Sequence, residues 1–390
     1  MKALAIIILT IALLGPLASN IYHSLLFSHV FNREQAKDEN NPSEKKRFGI
    51  LALPLTDGMK KHLSEKLTNK GFSHAEIHKI VPNLTQYGLT YLRYLKEVGL
   101  EVEPIHFNDT DEDILAQMDR LDGVLLTGGE TLYTLYKDPE REDPIYYKLD
   151  KDAKDEYIHK IKLIIDRAKA LNDGGKFFEV YSICLGMQGM TLVESEGNIP
   201  VAYVERNNIH DGVHISDKSV IHRHKFTPEE IEMLQNANIM FYYHDYGFTV
   251  KDFQADPRLN ANYTIEAVYK VDNFGDCVGM IRHKQYPFTG VQFHPEKVLH
   301  EESSYFKIDH NPENKKVIHK LPAMLNTHCT ETCRADFVWN NHYKDYQINK
   351  IRQADRLNEV LMKDVAIYKY LMVVGDDPKC LANLVNEKAN

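Results

Sequence analysis

The sequence has no excess of positive charge: 47 lysines and arginines stand against 56 aspartates and glutamates, a formal net charge of −9. Nucleic-acid binding needs a basic surface, so no nucleic-acid partner is expected. Beyond residue 20 no apolar run approaches the roughly 20 residues that span a bilayer, which argues against a membrane anchor once a leader is removed. No internal repeat is present, so a repeat array is not expected. Cysteine is scarce and odd in number, five in all, which in an oxidising compartment leaves at least one thiol unpaired. If that thiol is Cys184, then Cys277, Cys329, Cys333 and Cys380 remain, enough for two disulfides unless some stay free. Histidine is plentiful, but His210 with His214, and the run His222-Arg-His-Lys225, bring no thiolate or carboxylate at ligand spacing. No metal and no other cofactor is expected.

The first twenty residues hold one lysine, an uncharged apolar run from Ala3 to Leu14, and then small residues. That is the pattern of a secretory signal peptide cleaved near Ala18 to Asn20. Three sequons, at Asn83, Asn108 and Asn262, fit the same route. The expected locations are extracellular, lysosomal or vacuolar. Residues 21–46 are polar, charged and aperiodic, and read as a flexible leader.

The chain turns on the stretch from Lys176 to Leu192. Phe177–Ile183 is apolar and β-branched, a buried strand; Leu185–Leu192 has the composition of a helix. Nothing between them is long enough for a loop, so Cys184 sits on a sharp strand-to-helix turn of the kind that presents a nucleophile. The helix start aims N–H groups at the sulfur and favours thiolate. Strand and helix nearly touch at such a turn, so small residues are wanted two positions either side. Gly186 and Ser182 occupy those positions. Read alone, an arbitrary cysteine at this position is better taken as a buried core thiol or half a disulfide.

Two further stretches weigh for chemistry. Gly290–Phe293 reads as a short strand ending in His294-Pro-Glu296, a histidine able to act as base with a carboxylate to orient its ring. Leu121–Gly129 reads as an apolar strand ending in Gly128-Gly129, whose backbone can approach a substrate closely and donate to an oxyanion. All three sites fall at C-terminal ends of expected strands, the functional edge of an open parallel sheet.

Cys184-Leu-Gly-Met-Gln188 together with Gly290-Val-Gln-Phe-His-Pro-Glu296 resembles the class I glutamine amidotransferase fold. Gly49-Ile-Leu-Ala, Tyr91 to Gly99, Gly123 to Gly129 and Tyr286 to Lys297 narrow the resemblance to the gamma-glutamyl hydrolases, the folate polyglutamate peptidases. Ser182 replaces the usual glycine of the turn, and Thr127 stands where a proline often precedes the two glycines. The resemblance implies a doubly wound, mostly parallel α/β sheet with flanking helices. It also implies cleavage of γ-glutamyl amides by Cys184, His294 and Glu296 through a thioester, with oxyanion donors at Gly129 and Leu185. His244 matches a histidine implicated in the family's site, and as a loop residue it could instead simply bond Asp245. Gly128 and Arg223 are candidates for contacting a small poly-γ-glutamyl substrate. A silent γ-glutamyl-binding paralogue, or an amidase for another γ-glutamyl amide, are the alternatives. A homodimer is compatible with this reading.

The expected organisation is a signal peptide at 1–20, a leader at 21–46, a catalytic domain at 47–310 and a C-terminal extension at 311–390, helical over Ile348–Met372. Within the domain, Asn83–Val98 reads as one amphipathic helix. The acidic, tyrosine-rich insert Glu130–Asp155 reads either as a rim over the site or as a solvated loop.

Overall fold

The computed structural model describes residues 46–322, with gaps at 70, 142–144, 154, 218, 220–225 and 302–305, and also residues 370–374. The leader, Arg223, the cysteines at 329, 333 and 380, and most of the C-terminal extension lie outside the described residues.

The strands, in chain order, are β1 (Arg47–Pro54), β2 (Leu84–Gly88), β3 (Glu101–His106), β4 (Gly123–Leu126), β5 (Leu135–Lys137), β6 (Tyr146–Leu149), β7 (Glu179–Ile183), β8 (Val201–Asp211), β9 (His214–Ile215), β10 (Met240–Gly247), β11 (Tyr263–Val271), β12 (Gly275–His283), β13 (Phe288–Val291) and β14 (Tyr370–Val374). The parallel core runs β3-β1-β4-β7-β13, and antiparallel strands β12, β11 and β9 extend it. Residues of β4 and β7 are buried throughout, the mark of parallel strands covered on both faces.

Alternation along β1 shows the two faces directly. Phe48, Ile50 and Ala52 pack with Tyr91, Leu92, Tyr94 and Leu95 of the Leu89–Glu97 helix. Leu51 and Leu53 join the opposite core, with Ile161, Ile164 and Ile165 of the Glu156–Asp173 helix and Met187 and Met190 of the Leu185–Glu194 helix. Helices therefore cover both sides of the sheet, as a doubly wound domain requires. Val317, Ile318 and Leu321 join the first of these cores, so its packing continues past residue 310. No described helix is long and apolar enough to cross a membrane.

Three expectations change. Asn83–Val98 is not one helix: Leu84–Gly88 is strand β2, paired antiparallel with the end of β1 through Leu53–Gln86 and Pro54–Thr85, and only Leu89–Glu97 is helical. Tertiary pairing outweighs the local pattern there, and Gly88 takes the N-cap position. In the extension, Tyr370–Val374 is a strand on the far side of β2, so the expected helix does not include it. The insert Glu130–Asp155 is more than a loop: it supplies β5 and β6 to a second, four-stranded sheet ordered β10-β8-β6-β5. That sheet meets the C-terminal edge of the main one, where the Phe241 carbonyl on β10 accepts from the His294 N–H at 2.8 Å.

Candidate active site

Cys184 follows β7 and caps the Leu185–Glu194 helix with φ 53° and ψ −109°. A non-glycine residue in the left-handed region is strained, and a strained turn at a helix start is how a strand-to-helix elbow exposes its side chain. Its amide N–H is fixed to the Val291 carbonyl on β13 at 2.8 Å. The sulfur is 3% exposed as a residue and faces the Tyr243 carbonyl on β10 at 3.8 Å.

The close packing behind the turn explains the small residues around it. A Cβ on Gly186 would collide with the backbone carbonyl of Leu126 on β4, so only glycine fits. Ser182 is fully buried, and its hydroxyl donates to the Thr289 carbonyl at 3.2 Å. Space for that hydroxyl comes from the neighbouring strand: a Cβ on Gly290, the residue paired with Ser182, would meet Ser182 Oγ at 2.8 Å. The serine is thus bonded and housed. Ser182→Gly should leave activity and melting temperature close to wild type. Ser182→Val adds a branch against Gly290 and loses the hydroxyl, and should cost about 1–3 kcal/mol of stability together with activity. Thermal melts and rates on the three proteins check this.

His294 follows β13 and lies buried with Glu296. Its Nδ1–H donates to Glu296 Oε1 at 2.8 Å, so Nε2 is the atom left for chemistry, and it is the one that can meet the Cys184 sulfur. Burial opposes a charged ring here, but the Glu296 carboxylate and the Cys184 sulfur outweigh it, and the imidazole is held up at about 9. Gly128 ties the parts together. A Cβ placed there would lie 2.9 Å from His294 Cε1 and 3.2 Å from Cys184 Cβ. Gly129 is exposed and sits over Leu185, with its ideal Cβ 3.5 Å from Leu185 Cδ2. The structure therefore brings Cys184, His294, Glu296, Gly128, Gly129 and Leu185 to one edge.

His244 lies on β10 rather than in a loop. Its Nδ1–H donates to the Tyr246 carbonyl at 2.9 Å, not to Asp245, whose carboxylate accepts from Asn207. Burial, then the charge of His294, push His244 down to about 3. It is a neutral imidazole with a buried, unpartnered Nε2.

Two residues outside the expected set of site residues also contribute. The Tyr91 hydroxyl accepts the Gly128 N–H at 3.0 Å and so fixes the glycine turn. Gln188 donates to the Tyr246 carbonyl at 2.6 Å and accepts from the Tyr133 hydroxyl at 2.6 Å, linking helix, second sheet and insert. The signal for Tyr91 was its hydroxyl: a buried tyrosine seeks a partner for it. Cys277, one of the cysteines counted toward two disulfides, is a buried thiol with no disulfide partner among the described residues, pushed up to about 12 chiefly by burial. Of the three sequons, Asn108 and Asn262 are exposed.

Glu296→Gln should reduce turnover by less than loss of His294 does, because the carboxylate orients the ring without transferring a proton. It should also lower the pH at which activity declines on the alkaline side, since less negative charge then holds His294 protonated. A pH–rate profile of the variant reads both effects.

Residues 169–309 match the family described as Glutamine amidotransferase class-I. Gamma-glutamyl hydrolase 1 of Arabidopsis thaliana is 27% identical over 257 residues, 64% of this chain and 62% of that protein. Gamma-glutamyl hydrolase B of Dictyostelium discoideum is 22% identical over 254 residues, 65% of this chain and 67% of that protein. Gamma-glutamyl hydrolase of Rattus norvegicus is 23% identical over 270 residues, 67% of this chain and 78% of that protein. The matched region spans about three fifths of the Arabidopsis protein's length. Over residues 169–309 the chain is thus similar to the class I glutamine amidotransferases, and its similarity among named proteins is to the gamma-glutamyl hydrolases.

Proposed function

We propose that this protein hydrolyses γ-glutamyl amide bonds, with folyl-poly-γ-glutamates as the substrate class. The observation that carries the reading is the juxtaposition of Cys184, on its strained turn, with the Glu296-bonded ring of His294 across Gly128.

The Cys184 thiolate attacks the γ-carbonyl carbon and forms a C–S bond. The carbonyl oxygen gains charge and is met by the Gly129 and Leu185 N–H groups, worth ~3 kcal/mol per donor in such sites. The tetrahedral intermediate collapses with cleavage of the C–N bond, and the leaving amine takes its proton from His294 Nε2. Water then attacks the thioester and gives His294 a proton; the C–S bond breaks, releasing a γ-carboxylate and the free thiol. Glu296 holds the ring throughout.

Ser182 in place of the usual glycine is the feature that favours a silent binder, and the bond from its hydroxyl to the Thr289 carbonyl, which houses the serine at the turn, supports the hydrolase instead. A secretory setting is part of the proposal, supported by the apolar leader and by exposed sequons at Asn108 and Asn262. Incubation with pteroyl-penta-γ-glutamate followed by mass spectrometry tests the activity: shortened chains support it, and an unchanged substrate refutes it.

A further inference from the structure

A γ-linked glutamate chain has a free α-carboxylate at each residue, yet this protein is net negative. Something local must welcome those anions. Arg223 lies outside the described residues. Lys297 adjoins the catalytic motif, but its ammonium is engaged, 3.6 Å from Glu301 Oε2 and 3.7 Å above the Phe306 ring.

Arg206 is placed differently. It stands on β8 directly opposite His244 on β10, and opposed residues of an antiparallel pair project from the same face. Its guanidinium lies 5.3 Å from the Tyr242 ring and 5.7 Å from the Tyr269 ring. The His244 ring lies 5.9 and 5.8 Å from the same two. Arginine and histidine thus share a floor of two tyrosines, next to the Tyr243 carbonyl that faces Cys184. Four polar atoms on this floor are buried without hydrogen-bond partners among the described residues: Arg206 Nε, Tyr242 Oη, Tyr269 Oη and His244 Nε2. Native proteins rarely leave buried polar atoms unpaired, and a cluster of them marks a place for a polar ligand.

The backbone is bent to make this arrangement. Glu205 and Asn208, which bracket Arg206, have φ of 47° and 56°, and the pairing with β10 shifts register on either side of Tyr243–His244. Strain of this kind persists where the surrounding structure enforces it, often at ligand sites. One arginine donor, Nη2, already serves Asp211, but a guanidinium has five N–H donors in a planar fork.

We propose that Arg206 is the specificity residue of this site, binding an α-carboxylate of the γ-linked substrate while Cys184 attacks the γ-amide. The proposal rests on the γ-glutamyl hydrolase reading. Arg206 acts in binding and takes no part in proton transfer, so its contribution falls on KM.

The test uses the full chain and two probes, pteroyl-di-γ-glutamate and its analogue with the α-carboxylates converted to carboxamides. Wild type should show a KM about tenfold or more higher for the carboxamide, with kcat little changed, as expected for losing a charge-assisted contact. Arg206→Gln should raise KM for the acid to the same degree and erase the preference; Arg206→Lys should fall between. Melting curves accompany each variant, and if the glutamine variant does not fold, the lysine variant and the wild-type preference carry the test. Equal use of both probes by wild type, or a preference that survives in a folded Arg206 variant, overturns the proposal and leaves the hydrolase intact. Cleavage of neither probe refutes the hydrolase reading itself.

Discussion

Cys184→Ala is expected to reduce γ-glutamyl hydrolysis by roughly 10⁴-fold or more, as removal of a covalent nucleophile does, with the fold preserved. The sulfur's neighbour is a backbone carbonyl at 3.8 Å, and the space around the residue is set by backbone: Val291 holds its N–H, and Gly128 stands 3.2 Å from its Cβ when given an ideal Cβ of its own. Removing one atom there leaves those constraints in place. A loss near 1 kcal/mol corresponds to about 2–4 °C in melting temperature for a domain of this size. A core thiol behaves in the opposite way, with stability falling and turnover surviving. Measuring both quantities on one preparation separates the two roles.

His294→Asn should cost turnover roughly 10²–10⁴-fold, the usual contribution of a general acid–base. It should also reshape stability against pH. His294 is raised in the folded state to about 9, so its protonated form contributes stability that is fully present below the ordinary histidine value of about 6.5. That contribution is lost as pH climbs from there through about 9. His244, pushed down to about 3, has the reverse sign: its neutral form is favoured above about 6.5, and stability drains as pH falls toward about 3. Wild type should therefore melt highest near neutrality. Asparagine at 294 should flatten the alkaline limb and soften the acid one only in part, because burial still holds His244 down once the His294 charge is gone. Thermal melts from pH 4 to 10 on both proteins decide this, and an unchanged alkaline limb would show that His294 is not charged in the folded state.

The site was legible where it is local. Phe177 to Leu192 encodes strand, turn and helix in one uninterrupted stretch, so the strain at Cys184 follows from the absence of any loop. His294-Pro-Glu296 is similarly compact, with the ion-paired atoms two residues apart. The glycine pair followed from an apolar strand with nowhere else to end. What failed to show depends on pairing between distant segments. β2 carries a pattern that a helix could also use, and only β1 and β14 on its two sides make it a strand. β5 and β6 are short and half exposed, and β8 is what gives β6 a partner in the second sheet. Arg206 is one arginine in a polar run, and its placement exists only through the register that sets it against His244. Tyr91 falls on the expected amphipathic helix, but the bond from Gly128 to its hydroxyl joins that helix to a strand end that sequence spacing does not connect.

The most direct measurement mixes enzyme with pteroyl-di-γ-glutamate, quenches in acid within milliseconds, and maps the protein by mass spectrometry. A covalent nucleophile at Cys184 predicts a transient species heavier by the pteroylglutamyl acyl group, located on the peptide that contains Cys184 and labile to hydroxylamine. Product released in the same interval with Cys184 unmodified, or the acyl group found on another residue, would contradict the account.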